Sequence, residues 1–158
     1  MKQNLNFILV FILLATLSMV NAIPHRLQKR SFSFGSCTPL KGKNPPPIIS
    51  VEVASNTIVP GQTNTLVVTG MLIEPIFEST QLIAQFVDSE TNNFIGEPSI
   101  NSICGGAGCP IKGGTQFTTI IGNLLAPSQL PDEYSIVVSV IDEFKDILGC
   151  ANALIDNE

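Results

Sequence analysis

Four cysteines constrain this chain more than any other feature: Cys37, the close pair Cys104 and Cys109, and Cys150 eight residues from the end. Short β-type runs and turn signals fill the stretches between them, and a secretory leader stands ahead of them. On the secretory route cysteines pair by default. The pattern therefore implies a β-domain whose two ends are stapled together and which carries one small extra loop.

The leader is read from three features. Lys2 gives a positive start, Phe7 to Met19 is an apolar run of 13 residues, and Val20-Asn21-Ala22 places small residues where a signal peptidase cuts. The run is too short for the roughly 20 residues that a membrane span needs. Residues 1–22 are thus expected to be a signal peptide. Ile23 to Arg30 follows as a possible pro-segment ending in the dibasic pair Lys29-Arg30, and residues 31–158 form the domain. The destination is secretion or the lumen of the secretory or vacuolar pathway.

Charge excludes one class of partner. From Ser31 onward four lysines (Lys41, Lys43, Lys112 and Lys145) stand against thirteen acids, a net of −9, with no arginine. Such a surface has no footprint for a phosphate backbone, so no nucleic-acid partner is expected. Attraction to anionic membranes by charge alone is excluded for the same reason. Glu52, Glu90, Asp132 and Glu133 fall on strand faces or in turns, where solvated acids belong.

About 128 residues suit one two-layer core, and period-2 alternation marks about seven strands. Val51 and Val53 share a face opposite Glu52 in the first. Pro60-Gly61 makes a turn into the second, where Leu66, Val68 and Gly70 align. Leu82, Ala84 and Phe86 line the third, and NNFIGEPSINSIC reads as a broken fourth. Phe117, Thr119 and Ile121 share a face of the fifth. The sixth is the clearest, with Tyr134, Ile136, Val138 and Val140 inward and Ser135 and Ser139 outward; LGCANALI is the last. No long helix and no repeat is found. The expected class is all-β, a sandwich.

Four cysteines allow three pairings. Gly-Gly-Ala-Gly between Cys104 and Cys109 can close a small ring, which leaves Cys37 to pair with Cys150 across more than 100 residues. A metal site is disfavoured, because no histidine follows His25 and there is no Cys-x-x-Cys. The same lack removes Ser-His and Cys-His catalysis. Asp132-Glu133 and Asp142-Glu143 are adjacent residues at strand ends, so alternation splits each pair between faces. The chain is not expected to be an enzyme and needs no cofactor.

In order, Cys37, Pro60-Gly61 before a strand ending Thr69-Gly70, CGGAGCP from Cys104 to Pro110, LPDEYSIVVSVID, and LGCA resemble the ML domain. This is a lipid-recognition family that includes fungal phosphatidylglycerol/phosphatidylinositol transfer proteins and the Niemann–Pick type C secreted sterol carrier. The resemblance covers nearly all of Cys37 to Ile155. It implies an immunoglobulin-like sandwich with an apolar cavity between its sheets. A phospholipid or sterol would be held there and exchanged between membranes by a monomer in transient membrane contact. The chain departs from the sterol carrier in lacking a third cysteine pair.

The cavity lining expected on that basis is Val53, Leu66, Val68, Leu82, Ala84, Phe86, Phe117, Ile121, Ile136, Val138 and Val140, with Phe77 and Phe94 from flanking loops. Burying a sixteen-carbon chain gains about 12 kcal/mol. A bilayer offers a similar gain, so uptake and release are balanced. Met71 to Phe77 is the expected apolar rim that touches the membrane. The alternative is an immunoglobulin-like extracellular interaction or effector module with no lipid inside, since an apolar sandwich face is ordinarily packed core.

Overall fold

The computed structural model describes residues 32–38, 44–55, 57–105 and 108–156. The expected signal peptide and pro-segment lie outside them. Seven strands follow in order: β1 Ser50–Val53, β2 Thr63–Met71, β3 Gln81–Asp88, β4 Phe94–Ser102, β5 Gln116–Leu125, β6 Glu133–Ile141 and β7 Ile147–Asp156. They form two antiparallel sheets, a three-stranded one in the order β1-β2-β5 and a four-stranded one in the order β4-β3-β6-β7.

Alternation decides which sheet face is buried. On β2, Leu66 and Val68 are fully buried while Thr65, Val67 and Thr69 between them are half-exposed. Leu82, Ala84 and Phe86 on β3 and Ile136, Val138 and Val140 on β6 form the opposing stripe. Stacking these stripes removes both from water, which is the main force holding the sheets together. Pro60-Gly61 builds the expected turn. Gly61 sits at φ 75°, a conformation glycine adopts without strain, and the Gln62 N–H donates to the Val59 carbonyl over 3.1 Å.

Ser135 and Ser139 lie on the outward face of β6, as alternation requires, yet both are buried. Their cross-strand partners explain it. Ser135 stands between Val87 and Leu154, and Ser139 between Ile83 and Cys150, so small hydroxyls sit in the shadow of larger neighbours.

The two edges of the sandwich close differently. At the β1/β7 edge the backbone bridges the sheets: the Cys150 N–H donates to the Pro47 carbonyl over 2.9 Å, and the Ile49 N–H to the Cys150 carbonyl over 3.4 Å. Gly35 pairs with Asn152 in both directions, covering the free edge of β7. The Cys37–Cys150 disulfide fixes that strap covalently. Covering an edge in this way stops it from pairing with other chains. At the β4/β5 edge the sheets meet through side chains.

Candidate functional site

Ten of the expected lining residues come together between the sheets. Leu66 and Val68 of β2, Phe117 and Ile121 of β5, Leu82, Ala84 and Phe86 of β3, and Ile136, Val138 and Val140 of β6 are all buried in one apolar cluster. Phe86 meets Tyr134 with ring centroids 5.9 Å apart and tilted planes, an arrangement aromatic pairs favour. Val53, at the end of β1, is only half-buried.

Phe94 and Phe77 are placed elsewhere. Phe94 is 69% exposed, because it opens β4 on the outward side, opposite Val87. Its neighbour Ile95 takes the inward position opposite Phe86. Phe77 is half out of the surface on the β2–β3 loop.

That loop divides by burial. Leu72 and Ile76 point into the core, whereas Met71, Ile73 and Phe77 project outward. Ile76 exchanges both backbone hydrogen bonds with Ile111, and the Gly114 N–H donates to the Leu72 carbonyl over 2.7 Å. The Cys104–Cys109 disulfide packs against the same loop, its sulfurs 3.2 Å and 3.5 Å from the carbonyl oxygens of Phe77 and Ile76. The loop therefore closes the sandwich end with two side chains while offering others to solvent.

Phe144 joins this exposed apolar group, and no alternation pattern singles it out. It tips the β6–β7 turn and is 78% exposed. Asp142 Oδ1 accepts the backbone N–H groups of Phe144 and Asp146 over 2.9 Å and 2.8 Å, which fixes the turn with the ring outward. A cleft of about 400 Å³ lies between the turn and the β2–β3 loop, lined by Phe77, Phe144 and Leu148 together with Glu74, Asp142, Glu143 and Asp146. An aromatic flanked by acids in a short connection was the available sequence signal.

The β4/β5 edge carries a cluster of polar side chains beside the apolar stripes of the two sheets. Ser99 and Asn101 occupy inward positions on β4 opposite Ala84 and Leu82. Ser99 Oγ donates to Asn123 Oδ1 over 2.7 Å, crossing from one sheet to the other, and accepts from Asn101 Nδ2 over 2.9 Å. Asn123 reaches this edge because the β2–β5 register breaks between Leu66–Ile121 and Asn64–Leu124. A bulge of this kind lifts residues out of the ladder and re-aims their side chains. Sequence reasoning left β4 as a broken strand and missed the constellation.

Two further depressions lie outside the interior. One of about 440 Å³ runs beside β1 and β2 under Phe34, Ile48 and Met71. The other, about 280 Å³, lies on the outer face of the larger sheet near Val137, Ser135 and Asn152. Among the described residues no group of three histidine, cysteine or acidic side chains is placed to hold a metal.

A family model of the ML domain matches residues 31–156, so the chain belongs to the ML-domain family. The fold is similar to that of chicken MD-1 complexed with lipid IVa, with TM-score 0.50 and 13% identity over 84% of this chain and 94% of that one. It is also similar to a Niemann-Pick type C2 protein from the Japanese carpenter ant, with TM-score 0.53 and 11% identity over 79% of this chain and 98% of that one. No curated protein sequence matches the chain. The architecture is the immunoglobulin-like β-sandwich expected from the resemblance, and the disulfides are Cys37–Cys150 and Cys104–Cys109, as argued from spacing.

Proposed function

We propose that this chain is a secreted lipid carrier. It takes up a phospholipid (phosphatidylglycerol or phosphatidylinositol) or a sterol between its sheets and exchanges it between membranes. The observation that carries the reading is the interior itself: a continuous apolar stripe on each sheet, joined by backbone at one edge and by polar side chains at the other. An ML relative crystallised with lipid IVa supports it. The lining is Leu66, Val68, Leu82, Ala84, Phe86, Phe117, Ile121, Ile136, Val138 and Val140, with Val53 at the margin. Exposed Met71, Ile73, Phe77 and Phe144 form the rim that meets the bilayer. Acids surround that rim, so docking rests on apolar insertion rather than on anionic lipid.

In this reading residues 1–22 and 23–30 are removed on the way out, and residues 31–158 do the work as a monomer. Binding, not catalysis, is the task, since every cysteine among the described residues is disulfide-bonded and no histidine lies beyond His25. The competing reading is an extracellular effector module with a solid core. Close packing at one end favours it: a Cβ on Gly70 would press on Ile49 and Phe117, and one on Gly149 on Leu72 and Ile49.

Native mass spectrometry of the secreted protein, with extraction of bound lipid, separates the two. A lipid adduct is expected, and Phe77→Ser should slow transfer between vesicles while leaving the fold intact. A protein that never carries lipid and unfolds on Phe77→Ser is an effector module whose loop is core.

A further inference from the structure

We infer that the carrier selects lipids whose polar end is uncharged and bears a hydroxyl, and that Ser99, with Asn101 and Asn123, receives that end at the β4/β5 seam. The inference rests on the carrier reading above and narrows its ligand class, setting aside the anionic phospholipids.

The seam is the edge able to part. At the opposite edge two backbone hydrogen bonds, Cys150 to Pro47 and Ile49 to Cys150, tie the sheets together beside the disulfide-held strap. Here a side-chain bond between neutral groups, Ser99 Oγ to Asn123 Oδ1, spans them. Neutral hydrogen bonds exchanged for bonds to water change free energy little, so such a contact opens cheaply. Beside it β4 is already irregular: Gly96 has φ 73°, Pro98 interrupts the ladder, and the register with β3 shifts between Ala84 and Phe86.

The chemistry of the seam matches one kind of headgroup. Ser99 and Asn101 are polar side chains at positions that pair with Ala84 and Leu82 in the core, where burial without partners is costly. A lipid hydroxyl can enter between Ser99 and Asn123, accepting from Ser99 Oγ and donating to Asn123 Oδ1, so the number of hydrogen bonds is conserved. A phosphate oxygen can accept from Ser99 but has no proton to give. Although a phosphatidylglycerol headgroup has hydroxyls that could donate, bringing its charge to the seam costs far more than burying a neutral hydroxyl.

Among the described residues no cation is placed to compensate it. Among the described residues the lysines are Lys112 and Lys145, one in the β4–β5 loop and the other in the β6–β7 turn. Asn123 lies seven residues along β5 from Gln116, about 20 Å of strand, and both loops lie beyond that end. Glu97 on β4 adds negative charge close to the seam.

The test loads the secreted protein from phosphatidylcholine vesicles carrying one of three pyrene-labelled probes with the same acyl chains: a diacylglycerol, its 3-O-methyl ether, and phosphatidylglycerol. The diacylglycerol should be taken up about tenfold better than either of the others. Asn123→Leu, at an exposed position, should erase the preference over the ether while circular dichroism stays unchanged. Ser99→Ala should do the same. Phosphatidylglycerol binding as well as or better than diacylglycerol, or equal uptake of alcohol and ether, would overturn the assignment while leaving a lipid carrier. Uptake of none of the three would overturn the assignment together with the carrier reading.

Discussion

Gly70 and Phe117 are cross-strand partners in the β2–β5 ladder, and a Cβ added to Gly70 would stand 2.9 Å from the Phe117 ring. The aromatic covers the hydrogen that glycine leaves, filling the space on the inner face where a side chain would otherwise sit. Ile49 presses on the same point from the β1 side, with its Cγ2 also 2.9 Å away.

Gly70→Ala is therefore expected to destabilise the fold by about 1–3 kcal/mol, the usual cost of overpacking a filled core. Denaturant titration reads it as a lower midpoint at unchanged slope. Trimming the ring with Phe117→Leu in the same chain should return part of the loss. A Gly70→Ala protein as stable as the parent would mean that the ring moves freely aside.

The strands were legible because their patterns are local. Leu66-Val67-Val68 and Leu82 through Phe86 alternate cleanly, and each half-buried strand carries its own record of which face is covered. The disulfides were legible for a similar reason, since a five-residue spacing leaves one partner for each remaining cysteine. The seam was not. Ser99 and Asn101 read as ordinary polar residues until β3 is placed beside them, and Asn123 becomes their partner only through a bulge in a ladder with β2, 24 residues beyond Ser99. Phe94 illustrates the opposite error: its hydrophobicity suggested lining, but strand parity gives the inward position to Ile95.

The two disulfides should differ in worth. The Cys37–Cys150 bridge closes 113 residues and the Cys104–Cys109 bridge five. In the chain-entropy account these are worth about 5 and about 2 kcal/mol respectively. Cys37→Ser with Cys150→Ser should lower the unfolding midpoint far more than Cys104→Ser with Cys109→Ser. The first pair also frees the strap at Gly35, so hydrogen exchange should rise along β7. Equal losses from the two pairs would contradict the loop-length account.

Asp88 at the end of β3 gives the fold a pH dependence of known sign. Its Oδ1 accepts the backbone N–H of Thr91 over 2.7 Å and that of Glu90 over 3.0 Å. Chiefly through the Thr91 N–H, the carboxyl is held below its ordinary value of 3.8. A group more acidic in the folded state adds stability above its unfolded pKa, and loses it as pH falls through the folded one. Asp88→Asn keeps an oxygen for the turn but removes the charge. The parent should be the more stable protein near neutral pH, and the difference should shrink as pH falls below 3.8 and through the lowered folded-state value. A gap that is unchanged at low pH would show that charge plays no part in the turn.

The β2–β3 loop and the β6–β7 turn should separate stability from membrane contact. Ile76 is buried and bonded through its backbone to Ile111, so Ile76→Ala removes core contacts and should cost about 2–5 kcal/mol. Phe144 projects from a turn that Asp142 fixes through the backbone, so nothing in the fold depends on the ring. Phe144→Ser should change stability by less than about 0.5 kcal/mol. On the carrier reading, the same change removes one of the apolar groups that insert into the bilayer, and lipid transfer between vesicles should slow. Raising salt should not rescue it, because the lost contact is apolar and the surrounding acids give no attraction to screen. Transfer by Phe144→Ser at the parental rate would remove the β6–β7 turn from the docking surface and leave the rim to Met71, Ile73 and Phe77.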